Sequence, residues 1–543
     1  MKATMMNYPL TLPHILERAG RLYPKVEIVS RLPDKSLHRY TYGDFYHRSL
    51  ALAEALQKAG LRRGQRVGTF MWNHYAYLEA YFGIPSAGGV LHTVNFRLIR
   101  ADLAFIIIHA GDRFMIVDDV LLPLFEKIKD EVKVEKVIVV PLTGKPIPPG
   151  YINYEDFIAQ STGDFQYPDL NENEALGMCY TSGTTGHPKG VVYSHRAIVL
   201  QAMAEAMPTG LDIGQEDVIA PVVPMFHVNA WGLPFTATMT GSKQVLPGPH
   251  LDPVSLLDLF EHEKVTITAG VPTIWFGILQ TLERKPTTWN LTPGMRMIVG
   301  GSAASEAMIR GFDKFNLNVI HAWGMTETAP LGTVSQLKST LGDLDEDEQY
   351  AYRARQGLQM PLVDMRAVNE QGEVPWDGQT MGELQVRGAW IASDYHNAVE
   401  PMKNWTGDGW LRTGDVVTID PEGYMKITDR SKDLIKSGGE WISSVDLENA
   451  LMAHPAVAEA AVIAIPHPKW VERPLAVAVL KSGVNVTAAQ LIKYIAPRFA
   501  RFWLPDDVVF IEAIPKTATG KFLKSALREQ FKDYTPTEFS IGK

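Results

Sequence analysis

A glycine- and threonine-rich segment between two apolar runs carries the clearest chemistry in this 543-residue sequence. Residues 180–190 read YTSGTTGHPKG, with apolar residues before and after them. Glycines let a backbone fold closely around an anion, and backbone amides and hydroxyls can donate hydrogen bonds to phosphate oxygens. Lys189 adds one positive charge. Because phosphate-binding loops commonly follow a strand in α/β proteins, the segment predicts a phosphate site at a strand end.

The spacing separates this loop from the P-loop of nucleoside triphosphatases. That motif needs four residues between its glycines and a glycine directly before its lysine. Here two threonines separate Gly183 from Gly186, and Pro188 precedes Lys189. An unspecialised surface loop is the alternative, since such clusters are loops by default. The apolar run at 191–193 argues against a linker.

Five further segments combine polar groups with glycines or aromatic residues. Each alone has a simpler interpretation, as a buried histidine, a turn or a surface charge. Together they supply hydroxyls, two carboxylates and two lysines. They are PMFHVNAW at 224–231, GGSA at 300–303, WGMTET at 323–328, WLRTGD at 410–415 and PKTATGK at 515–521.

The overall composition excludes several classes of protein. A hydrophobic content of 46% with 21% charged residues is typical of a soluble globular enzyme. The net charge of −9 argues against a nucleic-acid partner. No segment approaches the roughly eighteen continuous apolar residues of a transmembrane helix, which leaves peripheral membrane contact open. Residues 1–20 lack the apolar core of a signal peptide.

The single cysteine, Cys179, lies in the apolar run before the glycine-rich loop. It is interpreted as a buried structural thiol rather than a nucleophile. One cysteine cannot form an intrachain disulfide, which fits a reducing compartment. We therefore expect a cytoplasmic protein.

Apolar strand-like runs alternate with helical patterns over most of the chain. This alternation favours βαβ units and mainly parallel sheets. The strand-like runs are at 66–72, 114–117, 136–140, 265–268, 297–299 and 319–321, and helical patterns cover 75–83, 101–109 and 121–132.

From about residue 357 the pattern changes to short strands with turn signals, which predicts a β-rich subdomain over 357–429. The charged segment 429–433 marks the predicted domain boundary. The fold prediction is an α/β protein with a large N-terminal domain (1–429), a hinge (430–435) and a small α+β domain (436–543). Relative motion is the expectation for domains joined by one crossing.

In this order, the segments resemble the ANL superfamily of adenylate-forming enzymes: acyl-CoA synthetases, luciferases and peptide-synthetase adenylation domains. The resemblance covers roughly residues 40–527 and rests on YTSGTTGHPKG, WLRTGD, DRSKDLIKSGGEWIS and PKTATGK. It implies that a carboxylate attacks the α-phosphate of ATP, which gives acyl-AMP and pyrophosphate. The thiol of coenzyme A then displaces AMP.

The resemblance also assigns roles to residues of the large domain. Glu327 and Thr185 would associate with Mg²⁺, which prefers oxygen ligands. Asp415 would accept the ribose hydroxyls, Arg430 would contact the ribose or a phosphate, and Thr326 would contact the α-phosphate. His227 is grouped with the catalytic residues. The phosphate contacts would come from Thr181, Ser182, Gly183, Thr184, Thr185 and Lys189. The adenine and acyl slot would be lined by Gly301, Ser302, Ala303, Ala322, Trp323, Gly324 and Met325.

The small domain would serve both steps by rotating. Lys521 would reach the reacting carboxylate during adenylation and then leave. The resemblance implies that a loop with Gly438 and Gly439 then enters and forms the thiol tunnel, with Lys432 at the hinge. Trp441 resembles the gate tryptophan of fatty acyl-CoA synthetases. The neighbouring cofactor-binding candidates are Lys436 and Glu440.

The substrate is the less determined part of the prediction. Amino-acid-activating relatives carry an Asp where His227 follows Phe226, so an amino acid is disfavoured. Small apolar residues suit an aliphatic tail, which favours a medium- or long-chain fatty acid. A short-chain or thioether acid such as methylmercaptopropionate is the alternative. A non-catalytic binder is a third reading, and the family suggests a homodimer.

Overall fold

The structure is a computed structural model. It describes residues 1, 3–181, 187–398, 404–430, 433–437, 440–467, 469–481, 483–517, 521–532 and 534–536. For residues 440 and 441 it describes the backbone only.

Sixteen strands and thirteen helical segments of the described chain precede the β-rich region. The strands are β1 Glu27–Arg31, β2 Leu37–Thr41, β3 Arg66–Phe70, β4 Val90–Thr93, β5 Asp112–Asp118, β6 Lys136–Val140, β7 Ile152–Asn153, β8 Ala175–Tyr180, β9 Gly190–Ser194, β10 Val218–Pro221, β11 Lys243–Leu246, β12 Ile267–Gly270, β13 Met295–Val299, β14 Leu317–Gly324, β15 Leu331–Val334 and β16 Leu358–Gln359. The helical segments are α1 Pro13–Leu22, α2 Tyr42–Lys58, α3 Tyr75–Ser86, α4 Arg100–Ala110, α5 Leu122–Phe125, α6 Tyr154–Ile158, α7 His195–Ala206, α8 Val228–Trp231, α9 Leu233–Thr240, α10 Pro253–Glu263, α11 Pro272–Arg284, α12 Glu306–Asp313 and α13 Glu346–Arg353, with 3₁₀ turns at Thr326–Thr328 and Ser339–Leu341.

These strands form two mainly parallel sheets. One has the order β16-β15-β14-β13-β12-β10-β11-β1-β2 and the other β7-β6-β5-β3-β4-β8-β9. β8 ends at Tyr180, β13 at Val299 and β14 at Gly324, so three of the chemistry-bearing segments directly follow strands. Parallel strands need crossovers, and the helices supply them.

One predicted helix is wrong in its extent. The pattern at 121–132 predicts a helix, but α5 covers only Leu122–Phe125. Beyond it the amides of Ile128 and Glu131 bond to the carbonyls of Phe125 and Ile128, three residues back. These tighter turns replace the four-residue spacing that an α-helix needs.

A five-stranded antiparallel sheet follows, with the order β18-β17-β19-β20-β21. Its strands are β17 Val363–Asn369, β18 Gly372–Glu373, β19 Gly382–Gly388, β20 Leu411–Ile419 and β21 Met425–Arg430. β16 pairs with β15 in the nine-stranded sheet, whereas Gly357 bridges to Met425 of β21. The start of the β-rich subdomain at 357 stays a prediction.

The last part of the chain forms a small α+β unit. Its sheet has the order β23-β22-β25-β24, with β26 parallel to β25. Its elements are β22 Ile435–Ser437, β23 Glu440–Ile442, α14 Ser444–Met452, β24 Val457–His467, β25 Val471–Leu480, α15 Ala488–Ile495, β26 Asp507–Phe510 and α16 Lys524–Gln530, with 3₁₀ turns at Ala496–Arg498 and Arg501–Trp503. β21 ends at Arg430 and β22 begins at Ile435, and the hinge between them stays a prediction.

The predicted fold class is confirmed: large α/β layers, a β-rich sheet and a small α+β unit follow one another along the chain. Within the described ranges, no helix has the length and apolarity needed to cross a membrane.

Candidate active site

One cavity of about 540 Å³ is lined by residues of both the large and the small domain. It brings together candidates that are up to 340 positions apart in the sequence (Thr181 to Lys521). Those that line it are Thr181, Lys189, His227, Gly301, Ser302, Ala303, Ala322, Trp323, Gly324, Met325, Thr326, Glu327, Asp415, Arg430 and Lys521.

The remaining candidates divide into two groups. Lys436 does not line this cavity; its side chain is exposed and its backbone amide donates to Glu472 Oε2 at 2.8 Å. The others lie outside the described residues: Ser182, Gly183, Thr184, Thr185, Lys432, Gly438 and Gly439, together with the side chains of Glu440 and Trp441.

Glu327 is a buried carboxylate fixed by a tyrosine that the sequence reading missed. The hydroxyl of Tyr395 donates to Glu327 Oε1 at 2.6 Å, and Asn404 Nδ2 donates to the same hydroxyl at 3.2 Å. Lys189 Nζ lies 4.7 Å from the centre of the Tyr395 ring. Burial, reinforced by the charge of Glu327, raises the pKa of Tyr395, so its proton stays on the phenol.

The backbone around Glu327 is equally constrained. The Glu327 carbonyl accepts the amide of Ala392 at 2.8 Å, and the Thr326 carbonyl accepts the hydroxyl of Tyr193 at 2.8 Å. A Cβ at Gly324 would lie 1.7 Å from the Pro330 carbonyl oxygen, so only glycine fits before this turn.

Asp415 is buried where β20 passes β14 and β21. Trp323 Nε1 donates to Asp415 Oδ2 at 2.9 Å, and Arg430 Nε forms an ion pair with Oδ1 at 2.6 Å. Its backbone amide donates to Thr413 Oγ1 at 3.1 Å. The carboxylate is therefore held in one orientation and, with up to four lone-pair sites, can accept further donors.

The small-residue turn after β13 brings the two domains into contact. Gly301 has φ of +81°, a conformation that favours glycine. A Cβ at Gly301 would lie 3.4 Å from Cε of Lys521, so the lysine of the small domain reaches this turn. His321 holds the turn: Ala304 N donates to its Nε2 at 3.3 Å, and its Nδ1 donates to the Ala354 carbonyl at 3.0 Å.

His227 precedes an unusual left-handed turn. Val228, Asn229, Ala230 and Trp231 have φ between +45° and +58°. Left-handed backbone costs about 1–2 kcal/mol per non-glycine residue, so packing must hold this turn. Burial, together with the nearby charges of Lys521 and Arg97, lowers the pKa of His227 to about 3. The imidazole is thus neutral at physiological pH.

Contacts next to the predicted hinge tie the small domain to β21. Ser444 N donates to Asp429 Oδ2 at 2.7 Å, and Lys426 pairs with Asp446 at 2.8 Å. Within the small domain, Lys524 Nζ pairs with Glu448 at 2.7 Å. Burial raises the pKa of Glu448 to about 7 although Lys524 opposes the shift.

Cys179 lies near the end of β8 and does not line the cavity. It is 1% exposed, and burial raises its pKa to about 11. The interpretation as a structural thiol agrees with both observations.

The family comparison agrees with this geometry. Residues 16–396 match the model of the AMP-binding enzyme, and residues 446–521 match that of the AMP-binding enzyme C-terminal domain. The chain belongs to the AMP-binding enzyme family, whose members form acyl adenylates. The resemblance drawn from the motifs is thereby confirmed.

Three curated relatives are similar over nearly their whole length. A long-chain-fatty-acid–CoA ligase of Thermus thermophilus is 49% identical over 98% of this chain and 97% of its own. A medium-chain-fatty-acid–CoA ligase of Ectopseudomonas oleovorans is 43% identical over 98% of both chains. A 3-methylmercaptopropionyl-CoA ligase of Ruegeria lacuscaerulensis is 43% identical over 98% and 99%.

Solved structures agree on the fold. An anthranilate CoA ligase in complex with anthranoyl-AMP has a TM-score of 0.86 at 25% identity, covering 98% of this chain and 99% of that one. ATP-bound MatB from Rhodopseudomonas palustris has a TM-score of 0.81 at 25% identity, covering 97% and 99%.

Proposed function

We propose that this chain is an ATP-dependent fatty-acid–CoA ligase. The observation that carries the proposal is the meeting of Lys521, Glu327 and Asp415 at one cavity. In the first step a carboxylate oxygen would bond to the α-phosphorus of ATP while the bond to the β-phosphate breaks. In the second step the thiol sulfur of coenzyme A would attack the acyl carbonyl, and AMP would leave.

The large domain would bind and orient the nucleotide. Asp415, held by Trp323 and Arg430, would accept the ribose hydroxyls. Thr326 would donate to the α-phosphate. The β- and γ-phosphates would lie against Thr181, Lys189 and the glycine-rich loop 182–186.

Glu327 fits the proposed Mg²⁺ association. Its buried carboxylate keeps Oε1 bonded to Tyr395 and is an oxygen ligand of the kind that Mg²⁺ prefers. Among the described residues, no group of three acidic, histidine or cysteine side chains could hold a metal. Phosphate oxygens and water would supply the remaining ligands, and the ion would neutralise phosphate charge when bound.

Lys521 would act as the mobile cation of the first step. Its position beside Gly301 and His227 suits an approach to the substrate carboxylate. Since His227 is neutral, it can donate or accept one hydrogen bond without repelling Lys521. This position of Lys521 beside Gly301 corresponds to the domain arrangement that we propose for the adenylation step.

The second step rests on the family resemblance. Rotation about Lys432 would withdraw Lys521 and bring the loop with Gly438 and Gly439 to the site. Trp441 would gate the acid, and Lys436 and Glu440 would adjoin the tunnel. The contact between Ser444 and Asp429 would have to break during this rotation. Homodimer formation and a cytoplasmic location also stay predictions.

The names of the relatives support a fatty acid, and one of them supports the alternative of a thioether acid. The test is pyrophosphate release and thioester formation with ATP, Mg²⁺ and coenzyme A across straight-chain acids of two to eighteen carbons and methylmercaptopropionate. We expect the highest kcat/KM with a fatty acid of six or more carbons. A maximum with methylmercaptopropionate would favour the alternative, and no turnover with any acid would overturn the proposal.

A further inference from the structure

The cavity continues away from Lys521 along one face of β13. Gly300 and Ile298 both line it, and alternate residues of a strand point to the same side. Arg296 is the next residue on that face, and its Nη1 donates to the Leu211 carbonyl at 3.0 Å. Leu211 also lines the cavity. The cavity therefore reaches Leu211, and Arg296, whose side chain contacts Leu211, lies about 13 Å along the strand from Gly300.

A carboxyl group stands at that end. Glu205, on α7, lines the cavity and is 0% exposed. Its backbone carbonyl accepts the Leu211 amide at 2.9 Å, which places Glu205 and Leu211 side by side. Apolar residues that line the cavity include Leu233, Ala269 and Ile298. Glu205 thus places a carboxyl at the end of a largely apolar tube.

Glu205 is fixed in place from two directions. Thr236 Oγ1 donates to its Oε2 at 2.5 Å, and Gln201 Nε2 donates to its Oε1. Displacing the carboxyl would leave two buried donors unpaired, at a cost of about 1–3 kcal/mol each.

Gln201 has no room to move with Glu205. A Cβ at Gly232 would lie 2.4 Å from Gln201 Nε2, so the end of the left-handed turn packs directly on this amide. The left-handed turn therefore packs on Gln201, the residue that holds Glu205. Val228 and Trp231 of the same turn line the cavity. An acid tail cannot push the carboxyl aside without disturbing that turn.

We infer that Glu205 is a specificity-determining residue that limits the acid to medium chain length. The inference rests on the proposed function. A zigzag alkyl chain with C–C bonds of about 1.5 Å spans 13 Å with roughly ten carbons. A longer tail would meet the buried carboxyl, whereas a shorter one ends within the apolar tube.

The test compares kcat/KM for butanoate (C4), octanoate (C8) and tetradecanoate (C14), measured by pyrophosphate release with ATP and coenzyme A. We expect wild type to prefer C8 over C14. Glu205→Ala opens the end of the tube and should raise the C14/C8 ratio by about 10-fold or more, the scale on which apolar pockets discriminate length. Its C4 turnover should stay within about twofold of wild type.

Two variants serve as matched controls. Glu205→Gln keeps the side-chain length and should keep the C14/C8 ratio. Glu216→Ala removes an exposed glutamate in the loop after α7 and should change neither the C14/C8 ratio nor the C4 turnover. An equal rise in Glu205→Gln would mean that charge rather than length sets the limit, and it would overturn the inference.

A separate variant covers the case in which Glu205→Ala does not fold. Leu211→Phe adds bulk at the same end and should lower the C8/C4 ratio by about 10-fold. Wild-type C14/C8 and C8/C4 ratios in the folded variants would overturn the inference while leaving the proposed function intact. Absence of turnover by wild type with every acid would overturn both.

Discussion

The two ends of the cavity are lined by different kinds of residues. At the proposed nucleotide end, Glu327 and Asp415 are each held by side-chain donors from other segments: Tyr395 holds the first, and Trp323 and Arg430 hold the second. At the proposed tail end, the apolar residues Leu211 and Leu233 line the cavity together with Glu205, which is held by the neutral side chains of Thr236 and Gln201. We propose that the first end fixes charges and that the second limits the chain length of the acid. Changes at the first should reduce turnover of every acid, and changes at the second should alter the choice among acids.

The largest expected effect belongs to Lys521→Ala. Removing the cation beside Gly301 should slow acyl-AMP formation by about 10²–10³-fold, as loss of a preorganised electrostatic group does. Thioester formation from supplied acyl-AMP should be retained, because Lys521 would leave before that step. The two half-reactions are measured as pyrophosphate release and acyl-CoA formation. Lys532→Ala, which removes an exposed lysine, is the control. Unchanged adenylation would contradict the assignment.

Asp415→Ala should have the next largest effect. It removes the acceptor of Trp323 and Arg430, and truncating one partner of a buried charged pair costs about 2–5 kcal/mol. We expect kcat/KM for ATP to fall about 100-fold with every acid. Asp408→Ala removes an exposed carboxylate and should leave this value unchanged. An equal loss in both variants would indicate a general effect on stability.

Tyr395→Phe should act more weakly. It removes one donor to a charged acceptor, a hydrogen bond worth about 1.5–3 kcal/mol, so we expect about a 10-fold loss in the rate of pyrophosphate release. The Mg²⁺ concentration for half-maximal rate should rise as well, since Glu327 loses its orientation. Tyr494→Phe, at an exposed hydroxyl, is the control. A Tyr395→Phe variant with wild-type Mg²⁺ dependence would show that Tyr395 does not contribute to the use of Mg²⁺.

The smallest expected effect is a pH dependence of stability at the tail end. Burial raises the pKa of Glu205 from 4.5 to about 8, against opposing hydrogen bonds from Thr236 and Gln201. Between these values the unfolded chain loses the proton while the folded chain keeps it. The free energy of unfolding therefore falls as pH rises, by at most about 1.4 kcal/mol per unit. Glu205→Gln lacks this titration, so its melting temperature relative to wild type should increase by a few degrees from pH 5 to pH 8. A constant difference would contradict the raised pKa.

The difference between the two ends also explains what the sequence could predict. Lys521, Glu327 and Asp415 stand in sequence segments whose glycine and threonine content is distinctive, so their convergence could be predicted. Tyr395 carries no such signal in SDYHN. Gln201 and Glu205 carry a weak sequence signal, because two polar residues four positions apart interrupt the apolar face of α7. Their contact with Thr236 depends on how α7 packs on α9, which no local pattern encodes. The short α5 and the pairing of β16 with β15 were likewise decided by tertiary contacts.

The most direct test measures the C14/C8 ratio of kcat/KM in Asp415→Ala and Glu205→Ala side by side. We expect Asp415→Ala to lower both values by the same factor, so that its ratio stays within about twofold of wild type. We expect Glu205→Ala to raise the ratio about 10-fold or more. A shifted ratio in Asp415→Ala, or an unshifted ratio in a folded Glu205→Ala, would contradict the division of the cavity into an end that fixes charge and an end that fixes length.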